Sequence, residues 1–290
     1  MYTIRTTIPL LQVHFSFFLC MAVAVTGCRN NNKQYNNPAN YNLNKPYVIK
    51  LPAELNDISG IAYYGKDNSL FAESDEKGCL YKIFLNKPTD IRKWKFSHKR
   101  DYEDIVLLDS TFYVLNNNGD ITSLNFLKDS LITHDYTFPE NGKYEFESLY
   151  YDDKIQKLVL ICKDCEIDKN TATSTYTFDP QRSIYGSSYS IDTKNIAEKT
   201  SPRSIKFKPS AASINPVTGE LYIISSINKL LVVADRNGGV KEIYQLDPAI
   251  FIHPEGIAFT PTGSLFISNE ADESTPAQVL YYQFKKGADK

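Results

Sequence analysis

The chain has 290 residues, 42% hydrophobic and 13% aromatic, with 32 Lys and Arg against 34 Asp and Glu. A formal charge of −2 argues against a nucleic-acid partner. The 20 Tyr and 16 Phe against a single Trp and 13 Gly favour aromatic strands over helices.

Residues 1–27 read as a lipoprotein signal peptide. Arg5 gives a weak positive start, and residues 13–25 are a mostly apolar run of signal-peptide length, too short to span a membrane. The run ends in Val25-Thr26-Gly27-Cys28, which resembles a lipobox with Cys28 as the lipidated first residue of the mature protein. The plainer alternative is an ordinary secretory signal with a chance cysteine. Residues 28–46, rich in Asn with Lys, Tyr and Pro, read as a disordered tether. Acyl chains on Cys28 hold the domain at a membrane by apolar burial. The start Arg29-Asn30-Asn31-Asn32 lacks an acidic cluster, so the expected address is the bacterial cell envelope, on the periplasmic face of the outer membrane. A monomer is expected.

Residues 47–290 read as one all-β domain built from a recurring phrase. Its copies are Ile58-Ser59-Gly60-Ile61-Ala62, Tyr102-Glu103-Asp104-Ile105, Phe146-Glu147-Ser148-Leu149, Pro209-Ser210-Ala211-Ala212 and Pro254-Glu255-Gly256-Ile257-Ala258. Each sets Ser or Glu one step before a small or acidic residue and an apolar strand. The polar residue recurs at spacings of 44, 44, 63 and 45. A period of that size with short strands predicts a β-propeller of five four-stranded blades. The long third repeat leaves room for a sixth. Its residues 179–202 read as a surface excursion with a helical turn at 193–198, and residues 204–208 as its closing strand. The last repeat has three strands, and residues 47–51 supply the fourth, sealing the ring and removing an exposed edge.

By propeller geometry Ser59, Glu103, Glu147, Ser210 and Glu255 fall around one mouth of the central channel. Three carboxylates facing one opening raise one another's pKa unless a cation or donors compensate. Two readings follow. Glu103, Glu147 and Glu255 could hold a calcium or magnesium ion through hard oxygen ligands. Alternatively each Glu accepts backbone N–H groups of the adjacent blade and fixes blade packing. Lys163 and Arg100 near the same mouth could receive an anion, though surface solvation is the plainer role.

After the signal and Cys28, the remaining cysteines are Cys79, Cys162 and Cys165. In an exported protein Cys162-Lys163-Asp164-Cys165 could close a tight disulfide. A redox-active pair would need a βαβ context that is missing. His253, beside Pro254 and the mouth, is a weak candidate for a general base; a packing or capping turn residue is the plainer reading. The sequence contains neither a Gly-x-Ser-x-Gly elbow nor a phosphate-binding Gly-rich Lys loop.

The inner-strand phrases, with Gly219-Glu220-Leu221-Tyr222-Ile223 and Gly263-Ser264-Leu265-Phe266-Ile267-Ser268, resemble the SdiA-regulated family of exported bacterial propellers over about residues 47–284. The resemblance implies a periplasmic or membrane-associated propeller, a link to calcium and a distant likeness to phytase-type propellers, with no settled catalytic residues to carry over. The chain departs from the family at Ser210-Ala211-Ala212, where Ala replaces Gly, and in the long third repeat. The resulting expectation is a lipid-anchored envelope protein that binds or scaffolds through an acidic mouth. The alternative is a calcium-dependent phytase- or lactonase-like hydrolase.

Overall fold

A computed structural model describes residues 2, 35–74, 77–98, 100–168, 172–200 and 206–286. Residue 2 apart, the stretch that reads as a signal peptide, residues 1–27, and Cys28 lie outside the described residues. A lone strand, β1 (Tyr47–Lys50), precedes the first blade, which comprises β2 (Ile58–Tyr64), β3 (Ser69–Ser74), β4 (Cys79–Phe84) and β5 (Ile91–Lys95). The second blade is β6 (Tyr102–Leu108), β7 (Thr111–Asn116), β8 (Ile121–Leu127) and β9 (Ser130–Tyr136). The third is β10 (Phe146–Asp152), β11 (Lys157–Cys162), β12 (Ala172–Asp179) and β13 (Ile184–Asp192), followed by helix α1 (Thr193–Lys199). The fourth is β14 (Ala211–Ile214), β15 (Leu221–Ser225), β16 (Leu230–Ala234) and β17 (Val240–Gln245). The last holds β18 (Pro254–Phe259), β19 (Leu265–Asn269) and β20 (Gln278–Tyr282). β1 pairs antiparallel with β20, Tyr47 opposite Tyr281 and Lys50 opposite Gln278, so the N-terminal strand completes the fifth blade. The protein is a five-bladed propeller with its ring closed by both ends of the chain.

Burial follows position in the blade. Middle strands are covered on both faces by neighbouring blades and read as continuous apolar runs, such as Leu230-Leu231-Val232-Val233-Ala234, all buried. Outer strands are largely wet, as in Val240 to Gln245, where Val240, Ile243 and Tyr244 are half-buried and Lys241, Glu242 and Gln245 are exposed. The core divides into five apolar clusters, one between each pair of adjacent blades. Among the described residues no helix is long and apolar enough to cross a membrane.

Two readings of the sequence need correction. The outer strand of the third blade is β13, and residues 206–208 form no strand. β13 is rich in Ser and Tyr because it is a half-exposed outer strand, joined to β12 by a turn in which Asp179 Oδ1 accepts from the Gln181 and Arg182 amides at 3.0 Å each. The additional length of the repeat includes α1, capped by Asp192 accepting from the Lys194 and Asn195 amides, with Ile196 buried against blades three and four. The sheets therefore number five.

The second correction concerns the tether. Residues 35–46 belong to the packed domain. Tyr41 and Leu43 are buried in the cluster between the fourth and fifth blades. The Tyr41 hydroxyl donates to the Gly263 carbonyl at 2.6 Å and accepts from Asn215 Nδ2 at 2.8 Å. Asn40 exchanges two hydrogen bonds of 2.9 Å with the Lys285 backbone. A few apolar anchors in an Asn-rich stretch suffice to order it, and a compositional reading averages them away.

The glycine after Glu255 has a packing cause. A Cβ on Gly256 would stand 2.5 Å from the Ser59 carbonyl oxygen and 2.4 Å from Ser268 Oγ. Fifth and first blades thus approach backbone to backbone. Gly256→Ala is expected to cost about 2–3 kcal/mol, read as a melting temperature lower by about 5–10 °C in calorimetry.

Candidate mouth site

The inner strands begin level with one another at one end of the channel. The Leu149 amide donates to Asp104 Oδ2 at 2.7 Å, Ser268 Oγ to the Ser59 carbonyl at 2.7 Å, and Ser210 Oγ to the Pro254 carbonyl at 2.8 Å. Each bond joins one blade to the next near the start of its inner strand.

The repeated glutamates are β-bulge residues. Tyr102 pairs with Asn116 and Asp104 with Leu115, leaving Glu103 without an opposite number. Glu147 stands in the same place between Phe146 and Ser148, and Glu255 between Pro254 and Gly256. The first blade carries its register shift between Ile58 and Ile61, around Ser59. In the fourth, the Ser210 amide donates to the Ile224 carbonyl, opposite Ala211. An extra residue turns its side chain out of the strand's normal alternation. The bulge thus places a polar group at the mouth while the next residue packs against a neighbouring blade. Below it, a channel cavity of about 190 Å³ is walled by the inner strands, including Ile61, Ile105, Leu149, Ala212 and Ile257.

Glu103 and Glu147 each face a donor or cation. Glu103 accepts from Asn117 Nδ2 at 3.1 Å. Glu147, 9% exposed, forms an ion pair with Lys163, whose ammonium also lies 3.4 Å from Glu145. Burial lowers the pKa of the Lys229 ammonium, the charge of Glu255 opposes that shift, and the same ammonium donates to the Ile252 carbonyl. Ser59 and Ser210 are buried, and Ser210 Oγ serves the tie between the fourth and fifth blades. Arg100 lines a separate polar cavity of about 500 Å³ with Asp101, Asn116, Asn117, Asn118 and Asp120, beside the mouth end of the second blade.

Lys163 is held by its flanks. Cys162 and Cys165 form a disulfide, both residues buried, with Cα atoms 5.8 Å apart. Between them Asp164 receives Lys206 at 2.5 Å and Lys208 at 3.1 Å. Those two ammonium groups hold its carboxyl down at about 2. The loop thereby links the third blade to the segment entering the fourth. Among the described residues, Cys162, Cys165 and Asp168 form the one group of three His, Cys, Asp or Glu side chains close enough for a single ion, and its two sulfurs are bonded to each other. Glu103, Glu147 and Glu255 are not drawn together as such a group. His253 is exposed, with its carbonyl accepting from the Glu270 amide at 2.9 Å. His134 packs edge-on against Tyr136 on an outer strand.

The residue that most firmly ties inner strands together is one the sequence pattern passes over. Asp104 is buried, and its two carboxylate oxygens accept from the amides of Ile105 at 2.8 Å and Leu149 at 2.7 Å. Burial pushes its carboxyl well above the usual range, against the pull of those two N–H groups. Asp104 itself bridges backbone to backbone between the second and third blades, the role that one reading gave to the glutamates. On the opposite face Arg236 binds buried Asp152 at 2.7 Å and also pairs with Asp153, joining the third and fourth blades.

Ring closure, level inner strands and a bulge-borne polar rim define a five-bladed β-propeller with a charged mouth. The chain belongs to the SdiA-regulated family, whose profile matches residues 40–285. Comparison with curated protein sequences finds no match. Among solved structures it is similar to the glutaminyl cyclase of Myxococcus xanthus, at 13% identity and a TM-score of 0.55 over 82% of this chain and 94% of that one. It is also similar to a glucose dehydrogenase, at 9% identity and 0.53 over 81% and 99%. A luciferin-regenerating enzyme matches at 12% identity and 0.51 over 82% and 95%. Identities this low establish shared fold alone.

Proposed function

We propose that this protein is a lipid-anchored propeller of the bacterial cell envelope that acts by binding, taking a charged or polar ligand at its mouth. The observation that carries this reading is the pairing of the mouth carboxylates. Glu103 is engaged by the Asn117 side-chain amide and Glu147 by Lys163. A carboxylate held by an ammonium is poorly placed to act as a base, whereas such pairs can exchange partners with a ligand's own charges. Calcium is one such ligand; to enter it must displace Lys163 from Glu147 and Glu145, because a hard cation takes those same oxygens.

The hydrolase alternative makes a different prediction. Turnover of phosphomonoester and lactone substrates is to be measured with and without calcium, for wild type, Glu147→Gln and Glu255→Gln. The binding reading expects no turnover in any condition. Calcium-dependent turnover in wild type that both variants lose would replace it with the hydrolase.

A further inference from the structure

We propose that the face opposite the mouth docks on the membrane, so that the mouth points away from the bilayer. The proposal rests on lipidation of Cys28. Inner strands run from the mouth to the far face, so the turns between first and second strands, and between third and fourth, lie there. Residues 35–46 pack on that same face: Tyr41 meets Gly263 and Asn215 in two of these turns, and Tyr282 donates to the Leu43 carbonyl at 3.4 Å. The Tyr35 carbonyl accepts from Asn44 at 2.8 Å, two residues before Pro46 and the start of β1. Only seven residue steps separate Cys28 from Tyr35. Fully extended they reach about 25 Å, roughly the length of one blade strand. A tether that short favours a bilayer on the side from which the packed chain departs.

The same face carries unusual apolar exposure. Tyr47, Phe126, Leu127, Ile155, Ile184 and Val217 are exposed, from 37% for Phe126 to 70% for Tyr47, on the second to fifth blades. Most stand in or beside far-face turns. The mouth loops show exposed Ile167 and Ile227. Scattered apolar tips at one end of the propeller suit the interfacial zone of a bilayer, where each can be buried a few ångströms deep. Charges in these turns alternate in sign, as in Lys66-Asp67, Lys128-Asp129, Asp153-Lys154 and Asp235-Arg236. They create little net field, so docking should depend weakly on anionic lipid and salt.

The test uses the mature chain starting at Cys28, joined through that thiol to a maleimide lipid in phosphatidylcholine vesicles, with or without phosphatidylglycerol. Amide hydrogen exchange is compared on and off the vesicles. Amides of residues 127–130, 153–156 and 216–219 are expected to exchange about threefold more slowly on vesicles, with residues 163–168 and 226–229 unchanged. Leu127→Ser combined with Val217→Ser should abolish the slowing without lowering the melting temperature. No slowing at the far turns, slowing at the mouth loops, or slowing only with anionic lipid overturns the docking face. Mass spectrometry of the chain from cell membranes tests the anchor separately. A Cys28 without acyl groups overturns the anchor, whatever the chemically lipidated chain shows.

Discussion

Asp104→Ala is expected to be among the most damaging single changes in the propeller. It strips the acceptor from two buried amides, Ile105 in its own blade and Leu149 in the next. An unsatisfied buried donor costs about 1–3 kcal/mol, so the pair amounts to about 3–4 kcal/mol. For a domain of this size, that is a fall in melting temperature of about 8–15 °C. Asp104→Asn keeps one acceptor and turns an NH₂ toward the other donor, and should cost about half as much. The pH dependence separates this carboxyl from a generic packing residue. Its folded-state pKa lies above its unfolded value, chiefly through burial. The folded state therefore binds the proton more readily, and this contribution is full below the unfolded value, about pH 4, and is lost as pH rises through the folded one. The stability difference between wild type and Asp104→Asn should thus shrink with rising pH in melts from acid to neutral. A difference that grows with pH would contradict the assignment.

Tyr41→Ala is expected to cost about 3–5 kcal/mol, the range for emptying a large buried ring site. The ring packs edge-on against Tyr222 at 6.1 Å and Phe284 at 5.7 Å between centroids, and its hydroxyl links Asn215 to Gly263. Tyr41→Phe keeps the packing and loses the two hydrogen bonds, and should cost about 1–2 kcal/mol. Limited proteolysis offers a second reading, because in Tyr41→Ala the segment 35–46 should become cleavable under native conditions. Equal resistance in the variant and wild type would mean that the segment is held by something other than this anchor.

These two residues also mark where sequence reading reached and where it stopped. Blade number and ring closure were legible because the repeated polar-small-apolar phrase is a consequence of geometry. The small residue permits the close approach measured at Gly256, and the apolar one lines the channel. The mouth position of the glutamates followed from the same register. Their role as bulges did not, since a bulge is defined by the partner strand's count. The Lys163–Glu147 pair was hidden because its members lie 16 residues apart in separate strands' ends. A hint existed in Cys162-Lys163-Asp164-Cys165, where a short bonded loop fixes whatever it encloses. Composition hides Tyr41, because a polar stretch with one buried ring reads as a tether, and hides β13, because an outer strand's exposed face reads as a loop.

Binding at the mouth depends on whether protein donors hold its carboxylates. Calcium titration by isothermal calorimetry, comparing wild type with Lys163→Met, tests this most directly. Removing the ammonium leaves Glu145 and Glu147 free of their shared cation. Calcium affinity should then rise by about tenfold, equivalent to about 1.4 kcal/mol. Equal or weaker calcium affinity in the variant would contradict a mouth whose carboxylates are held by Lys163.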